Sequence, residues 1–123
     1  MKATYPQSPA SGTLEAFTTQ PPAIAWINIK GDSMTSGAGV SIPDNSKVLI
    51  RRIDKDPFGI PTRKPVVIMG THAGRDFLVC KLITFVDMVY NQVKCESLNK
   101  KYQPFYLPLD SINEIFEVVE VQA

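Results

Sequence analysis

The sequence has little of the chemistry that metal sites and disulfide scaffolds need. It contains one histidine, His72, and two cysteines, Cys80 and Cys95, in 123 residues. Two cysteines could pair, but they do not build a disulfide framework, and a reduced cytoplasmic chain is the simpler interpretation. One histidine and two separated cysteines also argue against a zinc site. We therefore expect no bound metal and no cofactor.

The chain also lacks an excess of charge of either sign and a long hydrophobic run. Thirteen Lys and Arg residues against 12 Asp and Glu residues give a formal net charge of +1, which provides no basic surface for nucleic acid. No apolar run approaches the roughly 20 residues of a membrane span, and the N-terminal residues have no apolar core of the signal-peptide type. We expect a cytoplasmic protein that contacts neither membrane nor nucleic acid directly.

The distribution of proline divides the chain into an arm and a domain. Residues 1–22 hold four of the ten prolines, which predicts a linker or extended arm. The remaining length fits one domain, since domains commonly run to about 100–150 residues. The sequence therefore predicts a single domain over residues 23–123.

Short apolar and β-branched segments, separated by turn signals, predict a protein built from strands. No stretch shows a sustained helical period. A hairpin turn is expected near residues 90–92, and Gly70 is expected to end the third strand. The fold class is predicted to be mostly β, with a crossed or barrel-like sheet. The six predicted strands are 24–29, 47–53, 65–69, 77–83, 86–96 and 115–121.

The segment Gly31-Asp32-Ser33-Met34 follows the first predicted strand and starts a loop rich in Gly, Ser and Thr. A serine directly after a strand and a glycine lies where backbone amides can face outward, which suits a nucleophile with an oxyanion hole. The alternative is a plain turn. On the first interpretation, we expect Ser33 at the exposed start of a loop beside a cleft.

A serine nucleophile needs a base, and the sequence offers two candidates. His72 lies in Thr71-His72-Ala73-Gly74, a pattern typical of a solvent-exposed hairpin tip. Lys81 lies between apolar residues of one predicted strand, where burial can lower the pKa of a lysine by several units and leave a neutral amine. The alternative for Lys81 is an outward-facing or edge-strand position.

Four elements in one order resemble the LexA-type peptidase domain, which SOS repressors, phage repressors and UmuD-like proteins share. The resemblance covers roughly residues 23–121 and implies a LexA-like fold. It includes the closing strand 115–121. The four elements are Gly31-Asp32-Ser33-Met34, then Ile42-Pro43-Asp44-Asn45 before a strand, then the lysine strand 77–83, and then Ser97-Leu98-Asn99-Lys100-Lys101-Tyr102-Gln103-Pro104.

The resemblance implies a role for each matching residue. Ser33 would be the nucleophile of a Ser/Lys dyad, Lys81 its neutral general base, and the backbone amides of Asp32 and Ser33 the oxyanion hole. The strand can also be aligned so that Cys80 takes the position of the lysine. Because strand faces alternate, that one-residue shift turns Lys81 to the opposite side of the sheet.

Two functions remain open. The first is the self-cleaving peptidase and dimerisation domain of a LexA-like or phage-repressor-like transcriptional regulator. The second is a catalytically inactive dimerisation or sensing module of the same fold. Both imply a homodimer and a DNA-binding domain outside this chain, which has no helix-turn-helix pattern; the family also implies a RecA-type filament as inducer. A signal-peptidase relative is disfavoured by the absent membrane anchor.

Overall fold

The computed structural model describes residues 23–36 and 41–122 of the chain. The predicted linker, residues 1–22, lies outside the described residues. Two 3-10 turns, Pro57–Gly59 and Leu109–Ser111, are the only helical segments of the part described, and the prediction of a mostly β protein is confirmed. The seven strands are β1 (Ile24–Asn28), β2 (Lys47–Ile53), β3 (Pro65–His72), β4 (Arg75–Asp87), β5 (Gln92–Glu96), β6 (Phe105–Pro108) and β7 (Ile112–Gln122).

All seven strands pair antiparallel in one sheet, in the order β1-β2-β7-β3-β4-β5-β6. β1 and β6 lie at its two edges. A closed barrel needs a ladder between the first and last strands, and the described strands include no such ladder. The sheet is therefore open, where the sequence predicted a crossed or barrel-like one.

The central strands are buried on both faces, which explains their continuous apolar runs. On β4, Leu78 and Cys80 belong to one buried cluster, which also holds Met34 of the first loop and residues of β1 and β2. Phe77 and Val79, on the other face of β4, belong to a second cluster with residues of β5 and β6. The sheet thus separates two hydrophobic cores.

The structure differs from the strand predictions at three places. β3 continues through Gly70 instead of ending there. Glycine occupies this position not as a strand end but because a side chain would collide with the carbonyl of Ser111. β6 was missed because it has only four residues, follows Pro104 directly and ends on Pro108, and proline is a strand-breaking signal. The predicted fifth strand is split, since residues 88–91 form the turn that joins β4 to β5.

Candidate functional site

The serine loop, defined here as residues 30–36, leaves β1 along a path fixed by a neighbouring turn. The amide of Gly31 donates to Oδ1 of Asp44 over 2.7 Å, and Gly31 has φ +94, a conformation that favours glycine. The amide of Asn45, itself at φ 67, donates to the carbonyl of Ile29 over 2.8 Å. Gly31 and the Asp44-Asn45 pair therefore set the direction of the serine loop.

Ser33 is buried, with only 5% of its surface exposed. Its Oγ has no hydrogen-bond partner among the described residues, and neither the Asp32 nor the Ser33 amide donates a hydrogen bond within that part of the chain. The expectation of an exposed Ser33 is wrong, because residues 97–102 fold over the serine loop. An unpaired buried hydroxyl is uncommon and costs free energy.

The covering segment, defined here as residues 97–102, is attached to the serine loop through Asn99. The amide of Asn99 donates to the carbonyl of Ser33 over 2.9 Å. Its side-chain Nδ2 donates to the carbonyl of Asp32 over 3.0 Å. One asparagine thus fixes the backbone of the two residues that were predicted to carry the oxyanion hole.

A second attachment uses the carboxylate of Asp32. The hydroxyl of Tyr102 donates to its Oδ1, and Nζ of Lys101 lies 2.9 Å from its Oδ2. The hydrogen bond from Tyr102, followed by that from Lys101, lowers the pKa of Asp32, and the same contacts with Asp32 raise the pKa values of Tyr102 and Lys101. Sequence analysis assigned no role to these side chains, although their polar run after a strand was part of the resemblance.

Lys81 lies on β4, and the hydrogen bond of its amine is made to Ser97. It is 4% exposed, and its Nζ donates to Oγ of Ser97 over 3.0 Å. The ring centroid of Tyr102 lies 5.8 Å from Nζ. Burial lowers the pKa of Lys81, as expected for an amine removed from water. Ser33 and Lys81 thus both contact the covering segment, but no hydrogen bond joins them.

Cys80 and Lys81 lie on opposite faces of β4. Cys80 packs in the buried cluster that contains Met34, the residue after Ser33. Cys95 packs in the other cluster, and both cysteines are free thiols. Burial raises the pKa of each thiol to about 12, so both stay protonated at neutral pH.

His72 is placed away from the serine loop. It ends β3, and its Nδ1 lies 3.1 Å from Oγ of Ser111. An open cavity of about 400 Å³ is lined in part by the chain neighbours of Ser111, and neither Lys81 nor any residue of the serine loop lines it. Its lining residues are Lys55, Pro57, Asn91, Leu109, Asp110, Ile112 and Ile115.

Residues 23–36 and 41–122 contain neither of two further features, a metal-binding cluster and a membrane-spanning helix. No three His, Cys, Asp or Glu side chains of this part are grouped so that they could hold a metal ion. None of its helical segments has the length and apolar character of a membrane span.

Comparison with known proteins gives no assignment: no protein-family model matches the chain, and no curated protein matches it either. A function is therefore inferred from the side chains of the serine loop, β4 and the covering segment and from their geometry.

Proposed function

We propose that this chain is a LexA-like regulatory module that joins protein subunits and does not use Ser33 as a nucleophile to cleave itself. One observation carries the proposal: Lys81 Nζ donates to Ser97 Oγ, whereas Ser33 Oγ has no hydrogen-bond partner among the described residues. A serine is a weak nucleophile unless a base lies within about 2.6–3.2 Å of its hydroxyl. Ser33 has no such base in this arrangement.

The other two candidate bases do not replace Lys81. His72 is at the end of β3 beside Ser111. Cys80 takes the position of the lysine in the alternative alignment, but its buried thiol has a pKa of about 12 and accepts no proton at neutral pH. The catalytically inactive form of the resembled domain therefore agrees best with the side chains around Ser33.

The kinship with LexA-like proteins is supported by contacts between two of the elements that carry the resemblance. Asp32, from the first element, is bonded to Asn99 and Tyr102, from the last. These residues are 67 and 70 positions apart in the chain. These long-range contacts bring the two short motifs together at one place in the fold.

The subunit-joining role is supported by a free edge near the end of β7. The ladder between β7 and β2 extends to Gln122, but the ladder between β7 and β3 stops at Glu117. Residues 118–122 therefore have one edge unpaired within the described part of the chain. Val119 and Val121 on this segment are 48% and 38% exposed. Such an edge can pair antiparallel with its own copy across a two-fold axis, the commonest oligomer symmetry.

In this proposal the partner is a second copy of the chain, in the cytoplasm. DNA recognition would belong to a part of the regulator outside these 123 residues, because a net charge of +1 releases few counterions on duplex DNA. An inducer such as a RecA-type filament would act by binding the module and not by triggering cleavage through Ser33.

A serine-directed reagent tests whether Ser33 has a base. The intact chain is incubated with phenylmethylsulfonyl fluoride at mildly alkaline pH, and modified serines are located by peptide mass spectrometry. We expect Ser33 to stay unmodified in the native chain. We expect it to be modified in a Cys80→Lys variant, which adds an amine on the face of β4 that packs against Met34.

The matched control is Cys80→Ala, which alters the same position without adding an amine and should leave Ser33 unmodified. Circular dichroism checks that each variant is folded. The proposal is contradicted by modification of Ser33 in the native chain that disappears in Lys81→Met, since that result restores the Ser33–Lys81 dyad.

A further inference from the structure

Lys81 and Ser97 form a buried pair that the proposed function does not use. The last pair in the ladder between β4 and β5 is Leu82 with Glu96, so Lys81 and Ser97 are the next residues across the two strands. Their side chains meet over 3.0 Å. Lys81 is 4% exposed and Ser97 is 5% exposed.

The surroundings of the pair favour an uncharged amine. No acidic side chain of the described residues forms an ion pair with Lys81. On its face of β4, the neighbours Val79 and Ile83 belong to an apolar cluster that also includes Cys95. A buried ammonium without an acidic partner is costly, so burial shifts this group toward the neutral amine.

A neutral amine next to a hydroxyl is the arrangement that activates a serine. The contact of 3.0 Å between Nζ of Lys81 and Oγ of Ser97 lies within the reach of a general base. A neutral amine has a lone pair, so it can accept the hydroxyl proton across this same contact. Ser97 therefore has the base that Ser33 lacks.

We propose that Ser97 is a nucleophilic serine, with Lys81 as its general base, that reacts with small uncharged acyl or sulfonyl donors. The size limit follows from burial of the pair and from the Tyr102 ring, whose centroid lies 5.8 Å from Nζ of Lys81. The preference for uncharged donors follows from the apolar cluster that includes Val79, Ile83 and Cys95 on this face of β4. A donor that carries a charge would lose its hydration without gaining a partner.

The reaction with phenylmethylsulfonyl fluoride illustrates the step. Oγ of Ser97 forms a bond to the sulfonyl sulfur as the sulfur–fluorine bond breaks. Fluoride leaves with the electron pair of that bond, and the hydroxyl proton is transferred to Nζ of Lys81. The products are a sulfonylated Ser97, a protonated Lys81 and a fluoride ion.

Sulfonylation of the intact 123-residue chain tests the proposal. We expect peptide mass spectrometry of the native chain to place the adduct on Ser97. General acid–base catalysis contributes about 10²–10⁴-fold, so Lys81→Met, which removes the amine at similar side-chain size, should slow the modification at least about 100-fold. Ser97→Ala should abolish the adduct, and Ser33→Ala should leave its rate unchanged.

The outcomes separate this proposal from the preceding one. An unmodified Ser97 in the folded native chain overturns the nucleophile assignment. An equal rate of Ser97 modification in Lys81→Met, with native circular dichroism, overturns the assignment of the base. An adduct on Ser33 would contradict the proposed lack of a base at Ser33. It would not affect the assignment of Ser97, which depends only on the adduct at Ser97.

Discussion

At the scale of single residues, Lys81 holds an ionisable amine where the described residues provide no acid to pair with it. Removing an ammonium ion from water costs several kcal/mol even after relaxation, and the hydrogen bond to Ser97 offsets only part of this. Burial lowers the pKa of Lys81 below the ordinary value of 10.5. The residue therefore reduces the stability of the folded chain at neutral pH.

Replacing Lys81 by Met should reveal this cost through its pH dependence. Between the lowered pKa of Lys81 and 10.5, the unfolded chain binds more protons than the folded chain, so the native protein gains stability as pH rises. We expect Lys81→Met to raise the free energy of unfolding by about 1 kcal/mol at neutral pH. The gain should disappear as pH passes 10.5, as measured by urea denaturation at a series of pH values.

A second lysine provides the control. Lys47 is exposed at the start of β2, and Lys47→Met removes one positive charge without removing a buried amine. Burial raises the pKa values of Cys80 and Cys95 to about 12, so at neutral pH both thiols stay protonated in all the proteins and do not contribute to the gain measured there. A stability gain for Lys81→Met that did not change with pH would contradict the burial of a neutral amine.

At the scale of the elements, β3 shows how a strand is fitted between its neighbours. β3 pairs with β4 along its whole length, and it pairs with β7 through a register shift between Met69 and Gly70. A Cβ atom on Gly70 would lie 2.0 Å from the carbonyl oxygen of Ser111 and 2.7 Å from Cζ of Phe77. A backbone carbonyl cannot move aside as a flexible side chain can, so this position requires glycine.

Gly70→Ala should therefore destabilise the protein by about 2 kcal/mol or more, the scale of overpacking in a filled core. Gly59→Ala is the matched control, because a Cβ on Gly59 meets nothing within 4 Å, and it should change stability by no more than about 0.5 kcal/mol. Urea denaturation of both variants measures the difference. If the two variants were equally stable, the packing between β3 and the turn Leu109–Ser111 would be looser than the structure shows.

At the scale of the whole molecule, two exposed apolar segments differ in what else they offer to a partner. The turn between β4 and β5 presents Val89, which is 84% exposed, and Tyr90, which is 75% exposed. The last part of β7 presents Val119 together with an edge that β3 leaves unpaired. Of these two segments, the one on β7 combines apolar side chains with free backbone groups for a strand partner, and so it is the segment we expect to join two copies.

Sedimentation velocity at micromolar concentration tests this choice. We expect the native chain to sediment as a dimer and Val119→Lys to shift it toward monomer, because a lysine on an edge strand blocks strand pairing between molecules. Val89→Lys makes the same change on the more exposed valine of the turn and should leave the dimer intact. A native chain that sediments as a monomer would contradict the dimer. A dimer that Val89→Lys dissociates and Val119→Lys does not would place the interface away from β7.

Sequence alone determined the strands whose side chains carry their own signal. β2 was predicted with the bounds it has, and the cores of β1, β3, β4 and β7 were identified, because alternation and β-branched residues are local properties of a strand. The turn at Gly31 was also readable, since glycine suits a positive φ. The short β6 between prolines gave no such signal.

Tertiary structure alone decided which groups meet at the candidate site. The sequence placed Ser33 on a loop and Lys81 in an apolar strand, but it left open whether Cys80 or Lys81 lies on the face of β4 toward Ser33. Pairing of β4 with β5 turned Lys81 toward Ser97, and the contacts of Asn99 and Tyr102 with Asp32 closed residues 97–102 over Ser33. Such contacts depend on register between strands, where a shift of one residue exchanges the two faces, and no local pattern in the chain specifies that register.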